Sequence, residues 1–194
     1  MEIPIIGSHK LGKTTLFNAI RASPPIVPNF HFMEEIALNE IVDADTFFKY
    51  MEVQERILDI HLRRSKWAKK EGVNIISDRC LIDNLAYMII SKYSPYLYAF
   101  SRTYDSTLKV LEELSPTVRE AISHLHDYDL VFYVPIEFKY GSPSKEEMLY
   151  QENVDDVIKR ILKVYEIKHY VVKGSVEERR DFVIETIKQH SGEL

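Results

Sequence analysis

The chain has 194 residues, 45% of them hydrophobic, which is the size and composition of one domain with a substantial core. Its 25 basic and 30 acidic residues leave a net charge of -5, which argues against a surface devoted to a polyanion; nucleic acid is not the expected partner, although a local basic site is compatible with that balance. The single cysteine, Cys80, excludes a disulfide within the chain and a cysteine-rich zinc site, and no apolar run has the length of a membrane helix, so a cytoplasmic protein without a membrane partner is expected.

An apolar strand over residues 3–6 opens the chain, and the six residues before the next feature are too few for a signal peptide. The run Gly7-Ser8-His9-Lys10-Leu11-Gly12-Lys13-Thr14 then fits G-x-x-x-x-G-K-[ST], after a strand and before a helix whose apolar face shows at Leu16, Ala19 and Ile20. Glycines let a backbone wrap closely around phosphate oxygens, and the exposed amides at a helix N-terminus favour anionic charge. The backbone from Gly7 through Ser8, His9, Lys10, Leu11, Gly12, Lys13, Thr14 and Thr15 is therefore expected to hold a nucleoside triphosphate. Lys13 would reach the β- and γ-phosphates and Thr14 would place its hydroxyl on Mg²⁺. The side chains of His9 and Lys10 receive no role.

The proline-rich stretch at residues 23–28 ends that helix. A second strand over 30–33 leads into Glu34-Glu35-Ile36-Ala37. A long helical pattern over 45–70 carries apolar stripes at Phe47, Met51 and Leu58 and at Tyr50, Val53, Ile57 and Ile60, with Gln54 between them. A carboxamide on an apolar face needs a partner, which either a nucleobase edge or the backbone could supply. Phe47, Phe48 and the group Tyr93, Tyr96, Tyr98, Phe100 and Tyr104 read as core aromatics rather than base-stacking ones. A third strand over 73–77 ends in Asp78-Arg79 and runs straight into a helix; ligands of open α/β sheets bind beyond such strand ends. Ser115-Pro116 signs a helix start, and a fourth strand covers 130–134. Capping boxes run from Ser144 to Glu147 and from Ser175 to Glu178, either side of a fifth strand over 170–172. Short buried strands alternating with amphipathic helices predict an α/β fold: a three-layer αβα sandwich of the P-loop NTPase kind with a five-stranded, mainly parallel sheet, formed by residues 1–194 as one domain.

The phosphate loop, the Asp78-Arg79 pair and the ending Tyr170-Val171-Val172-Lys173-Gly174-Ser175-Val176-Glu177-Glu178-Arg179 together resemble the small P-loop kinases. The nearest are the thymidylate kinase and deoxynucleoside kinase group and the related AAA-like domain of nicotinamide riboside kinases. The resemblance implies that Asp78 acts in the metal shell beside Thr14 and that Arg79 contacts the acceptor or transferred phosphate. It implies that a carboxylate after the second strand orients the acceptor hydroxyl; Glu35 is preferred to Glu34 because Glu35-Ile36-Ala37 matches the acid, any residue, alanine spacing. It also implies that Gln54 reads the base. Two departures stand out. Leu38 occupies a place where an arginine is usual, and the lid expected at roughly 137–151 offers Lys139 and Lys145 where arginines are usual, with Arg160 further on. Gly174-Ser175 would pass over the adenine or simply start a helix.

No Asn-Lys-x-Asp or Asp-x-x-Gly segment marks a GTPase. The expected activity is Mg²⁺-dependent transfer of the γ-phosphoryl of ATP to a small-molecule nucleotide or nucleoside, foremost a deoxynucleoside monophosphate. The catalytic set would be Lys13, Glu35, Asp78 and Arg79, with Gln54 and Arg79 on the acceptor and Thr14 and Asp78 on the metal. A nucleoside kinase, including the nicotinamide riboside type, a P-loop ATPase switch and a kinase of a modified base in DNA are the alternatives. A homodimer is compatible with the reading.

Overall fold

The computed structural model describes residues 1–24, 30–36, 46–90, 109, 112–113, 115–137 and 142–192. Its strands are β1 (Glu2–Ile6), β2 (Phe30–Met33), β3 (Asn74–Asp78), β4 (Phe132–Tyr133) and β5 (Tyr170–Val171). All neighbours pair in parallel, in the order β2-β3-β1-β4-β5, so the five-stranded parallel expectation holds. The strand limits move slightly. The third strand extends to include Asp78, and the fourth is shorter than its apolar run, because only Phe132 and Tyr133 find ladder partners on both sides.

Alternation along the strands sorts side chains to two helical layers. On one face Ile3, Ile5, Phe132 and Val134 pack under α1 (Lys13–Arg21) and the C-terminal helix α6 (Val176–Ser191), through Leu16, Phe17, Ile20, Val183 and Ile187. On the other, Ile6, Val131 and Tyr133 meet α2 (Phe47–Glu71), α3 (Leu81–Ile89), α4 (Pro116–Ser123) and α5 (Lys145–Val164), through Leu58, Leu85, Val118 and Ile158. Strands covered on both faces are apolar at successive positions, which is why β1 reads as a continuous apolar run. Each such isoleucine contributes about 1.5–3 kcal/mol by leaving water.

The expected long helix begins two residues later than predicted: Thr46 caps it, its hydroxyl accepting from Lys49 N–H at 3.2 Å. Ser115, Ser144 and Ser175 cap their helices as expected, the last two in reciprocal boxes with Glu147 and Glu178. Asp45, the prolines at 25 and 28, Leu38, Lys139 and the aromatic group from Tyr93 to Tyr104 lie outside the described residues. Among the described residues no helix is long and apolar enough to cross a membrane.

Register decides where chemistry can gather. Ile5 on β1 lies opposite Asp78 on β3, and Met33 on β2 opposite Ser77. The carboxyl ends of three strands, and with them Gly7, Glu35 and Arg79, therefore share one edge of the sheet.

Candidate active site

Gly7 leaves β1 at φ 146°, and a Cβ there would lie 2.5 Å from the carbonyl oxygen of Val134, so only glycine fits without moving the next strand. Gly12 caps α1 in the left-handed region at φ 79°. Between them the loop folds back over the start of α1. Lys13 is 4% exposed, and its ammonium donates to the Ser8 carbonyl across the loop. Burial, reinforced by the Arg79 charge, pushes the Lys13 pKa down to about 8 against the pull of Asp83, Asp78 and Glu35. The site thus holds a cation at the edge of ionisation, wrapped by backbone, in a place that phosphate charge would stabilise.

Thr14 points its hydroxyl at Asp78, donating to Oδ2 at 2.6 Å. Asp78 is 1% exposed, and its other oxygen, Oδ1, is buried with no hydrogen-bond partner. An orphaned carboxylate oxygen in a dry site is costly, and a hard divalent cation would satisfy it. Thr14 and Asp78 thus fit a Mg²⁺ site. Among the described residues no group of three or more His, Cys, Asp or Glu could hold a metal ion, so the remaining ligands would be water and phosphate oxygens, as Mg²⁺ commonly takes.

Arg79 follows Asp78 at φ 72°, a region unfavourable for a side chain larger than glycine. Its amide is held by the Ile5 carbonyl at 3.1 Å, and this conformation turns the guanidinium back across the strand ends. There Nε lies 2.5 Å from Glu35 Oε1, and the guanidinium carbon sits 5.0 Å from the centre of the Tyr87 ring. Burial opposes the Arg79 charge, but Tyr87, Asp83 and Glu35 more than offset it and hold its pKa above the ordinary value. Glu34 turns the other way: it pairs with Arg21 at 2.9 Å near the surface.

Two cavities meet at this pair. The larger, of about 610 Å³, is lined by Lys10, Gly12, Lys13 and Thr14 of the phosphate loop, by Arg179 beside them, and by Gly174, Ser175 and Val176. The smaller, of about 310 Å³, lies between α2, α3 and α5 and is lined by His9, Tyr50, Gln54, Asn84, Tyr87 and Tyr150 among others. Glu35 and Arg79 line both. Gln54 is 3% exposed, and its carbonyl oxygen accepts from Asn84 Nδ2 at 3.3 Å, so a side-chain amide rather than backbone answers it.

Several residues of the site went unread in the sequence. Asp83, fully buried, accepts from Gly7 N–H and from Cys80 N–H, each at 3.0 Å, and so joins the phosphate loop to the turn that bears Arg79. Burial pushes its carboxyl up, against Lys13 and Arg79. Asp83, Asn84 and Tyr87 are polar positions on a helix otherwise apolar all round, a signal visible in the sequence. His9 lines the smaller cavity, with its carbonyl held by Gln151 at 2.7 Å and its ring 5.4 Å from Tyr150. Lys10 lines the larger cavity and pairs with Glu147 at 2.9 Å. Arg179, which the sequence offers only as the last residue of the C-terminal run, was given no role there. Lys145 and Arg160, the candidates for the missing lid arginines, are exposed and line neither cavity; Phe48 is 82% exposed rather than in the core.

Residues 2–179 match the AAA domain family. No curated protein matches the chain at a significant level. Among solved structures, a deoxyadenosine kinase from M. mycoides with bound dATP is 19% identical, with 97% of this chain and 100% of that one covered at a TM-score of 0.64. The NadR protein in complex with NR is also 19% identical, at a TM-score of 0.66; the match covers 98% of this chain but 51% of NadR, so the chain spans about half of that protein. A thymidylate kinase from Ehrlichia chaffeensis is 17% identical over 96% of this chain and 98% of its own, with a TM-score of 0.53. At such identities the likeness is one of fold, and the fold is that of these P-loop kinases.

Proposed function

The chain belongs to the AAA domain family, and from that premise we propose that it is a phosphotransferase that moves the γ-phosphoryl group of ATP to a small nucleoside or nucleotide acceptor. One observation carries the reading: Glu35 and Arg79 line both cavities, so a phosphoryl group held in the larger would face an acceptor held in the smaller. The phosphate loop and Lys13 take the triphosphate. Thr14 and Asp78 would hold Mg²⁺, whose charge would neutralise that of the phosphates.

The residues of the chain do the remaining work by position and charge. Arg79 offers a planar guanidinium to the transferring phosphoryl oxygens, and the approach of phosphate competes for it with Glu35. Released from that ion pair, the Glu35 carboxylate becomes an acceptor for the proton of the attacking hydroxyl, which is the role of a general base that orients the nucleophile. Gln54 and Asn84, already paired with each other, present amide edges of the kind that read a nucleobase, and Tyr87 and Tyr150 supply aromatic walls. The kinases of like fold are named for a deoxynucleoside and for thymidylate, which supports an acceptor of this class.

Sequence alone favours a deoxynucleoside monophosphate. A nucleoside is the second reading, favoured by one feature: among the described residues lining the smaller cavity, Arg79 is the sole lysine or arginine, and it is already engaged by Glu35. A monophosphate needs positive charge beyond the clamp on ATP. The test is to incubate the protein with Mg²⁺-ATP and a panel of nucleosides, deoxynucleoside monophosphates and DNA, and to measure ADP formed with and without each. ADP release that rises with one small acceptor supports the proposal and selects between the two readings. Release indifferent to every acceptor points to an ATPase switch and sinks it.

A further inference from the structure

Arg179 lies 168 residues from Leu11 in sequence, yet its guanidinium is one wall of the phosphate loop. It stands on the first turns of α6, 3% exposed, with Nη1 donating to the Leu11 carbonyl at 2.9 Å and Nη2 donating to Glu137 Oε2 at 2.7 Å. A buried guanidinium is expensive unless its hydrogen bonds are met, so these contacts fix the side chain in place. The same Glu137 oxygen accepts from Gly174 N–H at 3.0 Å. Gly174 itself is at φ 95°, where the chain turns from β5 into α6 and lines the larger cavity.

The contact with Leu11 has a consequence for Gly12. In a trans peptide the carbonyl and the following N–H point in opposite directions. Drawing the Leu11 oxygen toward α6 turns the Gly12 N–H the other way, into the loop, and the left-handed conformation of Gly12 accommodates that orientation. The Glu137 link extends this hold to the Gly174 turn, which also lines the cavity. With phosphates held at Gly12–Thr14, the remaining space for a base is the part lined by Gly174, Ser175 and Val176.

We infer that Arg179 is a positioning residue for the donor nucleotide: it aims the Gly12 amide at the phosphates and, through Glu137, fixes the Gly174 turn against the base. This rests on the phosphotransferase reading above. It assigns to α6 a role in setting affinity for the whole nucleoside triphosphate rather than in the chemical step. Arg179→Lys keeps the charge but loses the fork that reaches Leu11 and Glu137 together. Glu137→Gln leaves the Leu11 contact in place and weakens the link from Arg179 to the turn, since one Glu137 oxygen accepts from both Arg179 and Gly174.

The experiment measures dissociation constants for ATP and for inorganic tripolyphosphate by calorimetry in the wild type, Arg179→Lys and Glu137→Gln, together with KM for ATP, KM for the acceptor and kcat. Arg179→Lys is expected to weaken both ATP and tripolyphosphate by roughly 10-fold or more, the loss of charge-assisted hydrogen bonds. Its KM for ATP should rise more than kcat falls, with KM for the acceptor little changed. Glu137→Gln should weaken ATP more than tripolyphosphate, which has no base, and it tests the link to the turn by itself if the lysine variant does not fold. Unchanged ATP affinity in the folded variants, or a loss confined to melting temperature, would overturn the positioning role and leave the phosphotransferase reading intact. A wild-type protein that binds no ATP would instead defeat that reading and this inference with it.

Discussion

Lys13 brings an ammonium into a nearly dry site, and its pKa of about 8 makes nucleotide binding pH-dependent. Phosphate charge raises that pKa, so above pH 8 binding takes up a proton, whereas well below it the group is protonated in both states. Nucleotide affinity should therefore be flat below pH 7 and fall by up to about tenfold per pH unit above 8. Calorimetry at pH 6.5, 8 and 9.5 reads this directly, and a flat profile throughout would contradict the assignment. Glu34 and Glu35 offer a second contrast. Glu35→Gln should lower kcat by about 10²- to 10⁴-fold as a base is lost, whereas Glu34→Gln, which breaks only an exposed pair with Arg21, should change kcat by less than about twofold. Equal losses in the two variants would remove Glu35 from its role. The sequence could not separate these neighbours firmly, because the direction each takes depends on which partner, Arg21 or Arg79, lies on its side of the strand end.

Among the elements, those whose signals are local were read almost residue for residue. The capping boxes at Ser144 and Ser175 span four residues of sequence and formed as expected. Ser175→Ala should cost about 1 kcal/mol, lowering the melting temperature by roughly 2–4 °C in a domain of this size; an unchanged midpoint would mean the cap contributes nothing. The phosphate loop was legible for the same reason, since its two glycines, lysine and threonine fall within eight consecutive residues. What stayed hidden depends on helices crossing. The pairing of Asn84 with Gln54 joins α3 to α2, the grip of Gln151 on His9 joins α5 to the loop, and Arg179 reaches Leu11 from the opposite end of the chain. Asp83 stood out as a polar position on an apolar helix, but its role was out of reach, because one amide partner is Gly7 at the start of the phosphate loop and the other is the cap of its own helix.

For the molecule as a whole, the parallel sheet is what turns separate motifs into one site. Five strands in the order β2-β3-β1-β4-β5 bring the ends of β1, β2 and β3 to one edge, with helices on both faces closing the core. The fold was legible from the alternation of strands and helices, and the phosphate loop with it; of the smaller cavity the sequence outlined little beyond Gln54, Glu35 and Arg79. A ligand that binds the folded state stabilises the whole domain. At a hundred times its dissociation constant, Mg²⁺-ATP should add about 2.7 kcal/mol, a rise in melting temperature of roughly 5–10 °C, and Lys13→Ala should abolish the shift. The central claim is that the two cavities hold donor and acceptor for one transfer. Its most direct measurement follows the γ-phosphate of labelled ATP in a single turnover with an acceptor present. The label should appear on the organic acceptor, and Glu35→Gln should slow its arrival. Label found only in inorganic phosphate, at a rate the acceptor does not alter, would contradict it.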